Sequence, residues 1–147
     1  MRTIADALWE ALSPRGVSWI GFYEIAGKSN DHAVEPDSAM LLGPHRDKPA
    51  CSPIGMHGAC GQSFTERTTL IVTDVAHLGE GYVACDPRDL AELVIPCFDE
   101  NGNAWGVLDA DSFERGCFDE RDAGQIKAIL LTAGLSQVPH SAIRVVG

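Results

Sequence analysis

The chain has little positive charge. Eleven Lys and Arg stand against 21 Asp and Glu in 147 residues, a formal net charge of −10, and the pI is near 4.7. That balance excludes a phosphate-tracking nucleic-acid binder and a protein held on anionic lipid, because both need basic surface. It leaves room for a small zwitterionic ligand, since a local site can differ from the global field. Long apolar runs are also missing, so no membrane span is expected. The N-terminal MRTIADALWEALS is amphipathic, carries Asp6 and Glu10, and lacks the unbroken apolar stretch of a signal peptide. The five cysteines are therefore read as those of a cytoplasmic protein, where thiols are more often catalytic, metal-binding or buried than locked in structural disulfides. Closely spaced cysteine pairs are absent, which argues against a structural zinc site. His45, His57 and His77 leave a distributed zinc site as the alternative, but no metal or other cofactor is expected. Repeats and low-complexity segments are absent too. With 45% hydrophobic residues, the chain suffices for one globular domain spanning residues 1–147.

Ile4, Leu8 and Leu12 recur at helical spacing, and Pro14 and Gly16 stop the pattern, so residues 3–13 read as a helix. VSWIGFYEI, from Val17 to Ile25, is rich in β-branched and aromatic residues and reads as a strand. The polar stretch GKSNDHAVEPDS reads as a loop, and Ala39 to Leu42 as a short strand ending at Gly43-Pro44. Residues 44–58, rich in Pro and Gly, read as irregular chain carrying Cys51. Gly58 to Glu66 opens a short helix with Cys60 in its first turn, and Thr69 to Val72 is a strand. A second irregular stretch bears Cys85. Leu93 to Phe98 and Trp105 to Ala110 are strands joined by a DENGN hairpin turn, and Asp119 opens a helix to about Ala133. The tail after it shows no chemistry. The pattern predicts an α+β domain: a central antiparallel sheet with helices on one face and site loops on the other.

Chemistry concentrates in two sets. Cys51, Cys60 and Cys85 fall within a 35-residue window, and Glu92, Asp109 and Asp111 follow them. Several thiols and nearby carboxylates are what a redox enzyme needs to exchange bonds, hold a cationic substrate and manage a proton. Cys85, on a Gly-rich stretch beside Asp86, is the first candidate for the reactive thiol, although no adjacent Lys or His lowers its pKa. Cys60, at a helix N-terminus, could serve as nucleophile instead, because exposed amides favour an anion there. Cys51, on a mobile loop, suits a resolving thiol. Cys97 reads as core and Cys117 as incidental. Asp109 and Asp111 alternate onto one strand face, where like charges need a cation or a shared proton. Glu92 would complete an acidic pocket suited to an ammonium group, and Trp19 and Tyr23, on one side of their strand, would give it an apolar wall.

SWIGFY, LLGP, KPAC, GACG, TDV, ACD with the AELVIP acid, GVLDADS and FDERD, taken in this order, resemble the free methionine-(R)-sulfoxide reductases, a catalytic branch of the GAF-domain fold. The resemblance runs from about residue 17 to 122. It implies that Cys85 attacks the sulfoxide sulfur, that Cys51 is the main resolving cysteine, pairing with Cys85, and that Cys60 is the third redox thiol. It implies that Glu92, Asp109 and Asp111 bind the substrate amino group and assist protonation, and that Trp19 and Tyr23 wall the methyl end. Free methionine sulfoxide would be the substrate, thioredoxin the reductant, and a homodimer the family's assembly. The sequence departs from the family pattern between Cys51 and Cys60, where GMHG replaces a glycine-arginine-glycine-like approach, and before Cys85, where GEGYVAC lacks a usual His. The rival reading is a non-catalytic GAF sensor or small-ligand-binding module.

Overall fold

A computed structural model describes residues 1–27, 38–82 and 84–147. The polar loop expected at 27–38 therefore lies almost wholly outside the described residues, as does Val83 in the stretch before Cys85.

The expected elements form, and three of the strands run longer than expected. Helix α1 (Arg2–Leu12) buries Ala5 and Leu8. It leads through a short 3-10 turn into β1 (Val17–Ile25). Strand β2 (Ala39–Arg46) continues well past the Gly43-Pro44 end that the sequence suggested. Its register against β1 slips between Gly21 and Tyr23, where Leu42 and His45 face residues only two apart. A bulge of this kind accommodates Gly43 and Pro44 inside a paired strand. The Pro-rich region then contributes a two-residue strand, β3 (Ile54–Gly55), and helix α2 (Ala59–Glu66) follows.

Strands β4 (Thr69–Val72), β5 (Ala91–Phe98) and β6 (Ala104–Ser112) come next, then α3 (Glu120–Thr132). Asp119 caps α3 reciprocally with Asp122: its carboxylate accepts from the Asp122 amide, and the Asp122 carboxylate accepts from the Asp119 amide. The tail that looked featureless forms β7 (Ile143–Val146). No local pattern announces it. It is held by tertiary contacts: Lys127 donates to the Ser141 carbonyl, and Arg144 pairs with Glu66.

The strands make one sheet in the order β3-β2-β1-β6-β5-β4-β7. The expected antiparallel pairing runs from β3 to β4, and β7 adds a parallel edge beside β4, so the sheet is mixed. Helices α1 and α3 cover one face through Leu8, Ile126 and Leu130 packed on Phe22, Leu93, Ile95 and Leu108. The other face carries the long loops, as expected, together with α2, whose Phe64 joins Tyr23, Met40, Leu70, Val94 and Val107. Every residue of β5 is buried because both faces are covered, which is why AELVIPCF reads as a nearly unbroken apolar run. Cys97 sits in the helix-covered core as expected, and burial pushes its thiol up to about 12.

Gly21 lies under the Trp19 indole. A Cβ there would overlap the far edge of that ring and crowd the His45 side chain. Overpacking of this sort costs about 1–3 kcal/mol. Gly21→Ala is therefore expected to lower the urea unfolding midpoint and change the tryptophan fluorescence of the folded protein. A wild-type midpoint with an unchanged spectrum would contradict this packing.

Candidate active site

Strand pairing alone assembles the acidic set. Antiparallel partners share a sheet face. Trp19 pairs with Asp111, Asp111 with Glu92, and Glu92 with Val72, giving one row across four strands. The next row runs Gly21, Asp109 and Val94. Asp109 and Asp111 thus project onto the loop-covered face as their alternation implied, and Glu92 stands directly opposite Asp111. Helix α2 lowers Cys60 onto the same place. A Cβ on its neighbour Gly61 would overlap the Met56 backbone, so the glycine lets the helix start seat tightly. The ligating atoms of Cys60, Glu92 and Asp109 all lie within 4.8 Å of one another.

Two loops close over this floor. The chain after β2 carries Cys51 and the chain before β5 carries Cys85. The two cysteines form a disulfide with a Cα–Cα distance of 5.7 Å, well inside the usual range. Beneath the disulfide is a cavity of about 190 Å³, lined by all eight residues expected at the site: Trp19, Tyr23, Cys51, Cys60, Cys85, Glu92, Asp109 and Asp111. Cys117 lies elsewhere, partly exposed, with its thiol toward the Arg15 carbonyl.

The electrostatics are unusual. Glu92 and Asp109 are only 5% and 6% exposed, and Glu92 Oε2 and Asp109 Oδ1 have no hydrogen-bond partner. Burial pushes Asp109 up to about 7, and it raises Glu92 further with Asp109 adding to the effect. The pair therefore retains protons at pH values where ordinary carboxyls have lost them. Asp111, partly open to the cavity, is raised first by burial and then by Asp109 and Glu92. The Cys60 thiol is also held protonated, by burial first and then by Asp109, Glu92 and Asp111. This corrects the expectation that a helix N-terminus would activate it. The dipole contributes about 1 kcal/mol or less, and desolvation with three acids outweighs that.

Several site residues were not anticipated. Tyr82 lines the cavity, and its pKa is raised by burial and then by Glu92. Asp89 is buried within reach of Ser18 Oγ at 3.3 Å and is pushed up to about 6 by burial and then by Asp86. Both lie in irregular chain where alternation gives no signal. Lys48 is the third. It pairs with Asp86, as does Arg88 at 2.7 Å, and both cations rest on the Phe113 ring. Arg88 and Lys48 hold the Asp86 carboxyl below the usual range. The sequence showed no cation beside Cys85, but the fold brings two to the adjoining residue.

His57 lines the cavity, while His45 stacks on Trp19 at 6.0 Å between ring centroids. Among the described residues, the metal-capable group near the cysteines is Cys60, Glu92 and Asp109, with no histidine in it. The same floor suits an ammonium group equally in charge and better in hydrogen bonding, because an ammonium brings the donors that the unpartnered oxygens lack.

This architecture, a curled mixed sheet with the site on its loop-covered face, is that of a GAF domain. It matches a solved GAF-domain structure with a TM-score of 0.76 at 28% identity, over 92% of this chain and 73% of that one. A free methionine-R-sulfoxide reductase from Neisseria meningitidis, solved in complex with its substrate, matches at TM-score 0.72 and 31% identity, over 90% of this chain and 74% of that one. Among curated proteins, GAF domain-containing protein A of Dictyostelium discoideum is 34% identical over 76% of this chain and 65% of its own length. The free methionine-R-sulfoxide reductase of Escherichia coli K12 is 31% identical over 84% of this chain and 67% of its own. The chain belongs to the free methionine-R-sulfoxide reductase family of GAF domains. It spans somewhat under two thirds of the length of the first curated relatives it matches. No protein-family model matches the chain.

The raised carboxyls set a pH dependence. Ordinary Asp and Glu ionise near pH 4. Between about pH 4 and the folded value near 7 for Asp109, the unfolded chain sheds protons that the folded chain keeps, so stability falls as pH rises through that window. Asp109→Asn removes one such group. Relative to wild type, the variant is expected to fare better at pH 8 than at pH 5 by at least about 1 kcal/mol, read from denaturant unfolding without ligand. An equal difference at both pH values would mean that these acids ionise normally in the fold.

Proposed function

We propose that this protein reduces free L-methionine-(R)-sulfoxide to methionine. The observation that carries the reading is a redox-capable cysteine pair, Cys51–Cys85, at the mouth of a cavity whose floor holds two buried carboxyls, each with one oxygen that has no hydrogen-bond partner. An oxidisable thiol and a site that asks for a cation suit an amino acid bearing a sulfoxide. The family supports the same substrate.

In this reading the substrate ammonium sits against Glu92, Asp109 and Asp111, and the Trp19 and Tyr23 rings wall the methyl end. The Cys85 thiolate attacks the sulfoxide sulfur. As the S–O bond transfers to Cys85, the oxygen takes a proton from the acidic set. The products are the thioether and a Cys85 sulfenic acid. The Cys51 thiol then attacks the sulfenic sulfur, water leaves, and the Cys51–Cys85 disulfide results. A dithiol of the thioredoxin type returns both cysteines to thiols by exchange. Cys60, protonated and buried, is a reserve thiol in this scheme, not the first nucleophile. A methionine inside a protein has no ammonium to offer, which accounts for selection of the free amino acid.

The test is NADPH oxidation coupled through thioredoxin and its reductase. The R epimer is expected to be consumed and the S epimer not. Cys85→Ser is expected to abolish turnover, and Cys97→Ser and Cys117→Ser to leave it nearly intact. Asp109→Asn and Glu92→Gln are each expected to cost about tenfold or more in kcat/KM, and N-acetylated methionine sulfoxide to be a poor substrate. Binding of the sulfoxide without turnover would instead make the protein a ligand-binding module. Full activity in Cys85→Ser would end the mechanism.

A further inference from the structure

The substrate reading gives Trp19 and Tyr23 a passive part, as apolar wall. Their polar tips do something else. The Trp19 indole N–H donates to the Lys48 carbonyl at 2.8 Å, and the Tyr23 hydroxyl donates to the Cys51 carbonyl at 2.7 Å. These are the two ends of the four-residue segment Lys48-Pro49-Ala50-Cys51. Both donors stand on β1, and their rings are 3% and 2% exposed. Their own positions are fixed by the sheet, by each other at 6.1 Å between centroids, and by the His45 ring stacked on Trp19. The segment is also held sideways, since the Lys48 ammonium pairs with Asp86, next to Cys85.

We propose that Trp19 and Tyr23 are positioning residues for the resolving thiol: through their hydrogen bonds to the Lys48 and Cys51 carbonyls they hold Cys51 where it captures Cys85. The physical argument is one of effective concentration. A loop rich in Pro and Gly would otherwise let Cys51 wander, and intramolecular disulfide formation is only as fast and as favourable as the population of the chain that brings the sulfurs together. An aromatic side chain is a suitable tether because it orders a donor with only two torsions. The Tyr23 hydroxyl stays a donor at any physiological pH, because burial first and then the Asp109 charge raise its pKa. Two ends tied to the same rigid strand define the segment's direction as well as its place.

Tyr23→Phe separates tether from wall, because it keeps the ring and removes the donor. The proposal rests on the reductase reading only for the catalytic consequence, so the primary measurement uses no substrate. The Cys51–Cys85 thiol–disulfide equilibrium is measured in glutathione buffers, with oxidised and reduced protein quantified by mass spectrometry. The disulfide of Tyr23→Phe is expected to be about three- to tenfold easier to reduce, the worth of one lost hydrogen bond. Trp19→Phe, which removes the indole donor, is expected to shift it in the same direction. In the presence of methionine sulfoxide, the fraction of oxidised Cys85 that dimedone captures as sulfenic acid should rise in Tyr23→Phe over wild type. A merely structural role for the hydroxyl would lower the unfolding midpoint without moving either ratio. Glutathione equilibria equal to wild type in both variants would overturn the proposal, whatever the outcome of the activity assay. Shifted equilibria with no methionine formed by wild type would sustain the tether and sink the reductase reading instead.

Discussion

Glu92 Oε2 and Asp109 Oδ1 are buried and face no donor, and much of the site's construction follows from that. An ionised carboxylate removed from water needs a counter-charge or hydrogen bonds, and two side by side need them more. The fold answers with protons: burial raises both carboxyls, Asp109 to about 7, and the Cys60 thiol stays protonated beside them. The cost is borne by a sheet covered on both faces, whose central strands place the acids through backbone pairing without any flexible side chain having to find its position. A ligand that supplies a cation and three N–H donors converts a destabilised floor into a binding site.

The second feature is the division of labour between the faces. The helix-covered side is ordinary apolar packing and carries an inert cysteine, Cys97. The loop-covered side holds two irregular segments over the paired strands. The Lys48–Asp86–Arg88 pairing against Phe113 joins those segments at the surface, and the Trp19 and Tyr23 donors fasten one of them from below. Exposed ion pairs of this sort contribute little to stability. Their value here is geometric, since both lie within a few residues of a disulfide cysteine.

The sequence was legible where a period of two or of 3.6 operated. VSWIGFYEI marked β1 at its full length, GVLDADS put Asp109 and Asp111 on one face, and Asp119 marked the start of α3. It was misleading where a local signal was overridden. Gly43-Pro44 read as a strand end but sits in a bulge, and Cys60 read as activated by a helix start but is desolvated among acids. It was silent where position depends on distant chain. Strand β7 exists because β4 offers an edge and Arg144 finds Glu66. Tyr82, Asp89 and Lys48 reach the site from loops that carry no periodicity. The resemblance to the reductase family pointed to the cysteines and acids that line the cavity, but it did not indicate that the two aromatic residues also bond the Cys51 loop.

In the proposed reaction the acidic floor trades a proton for the substrate ammonium. Proton linkage tests it most directly. Titrating free methionine-(R)-sulfoxide into Cys85→Ser protein near pH 7, in buffers of different ionisation enthalpy, gives the number of protons exchanged on binding. Net release is expected, up to about one proton per ligand, because a bound cation lowers the pKa of carboxyls that were holding protons. Binding with no proton release, or with uptake, would mean that the ammonium does not meet these carboxylates, and the account would fail.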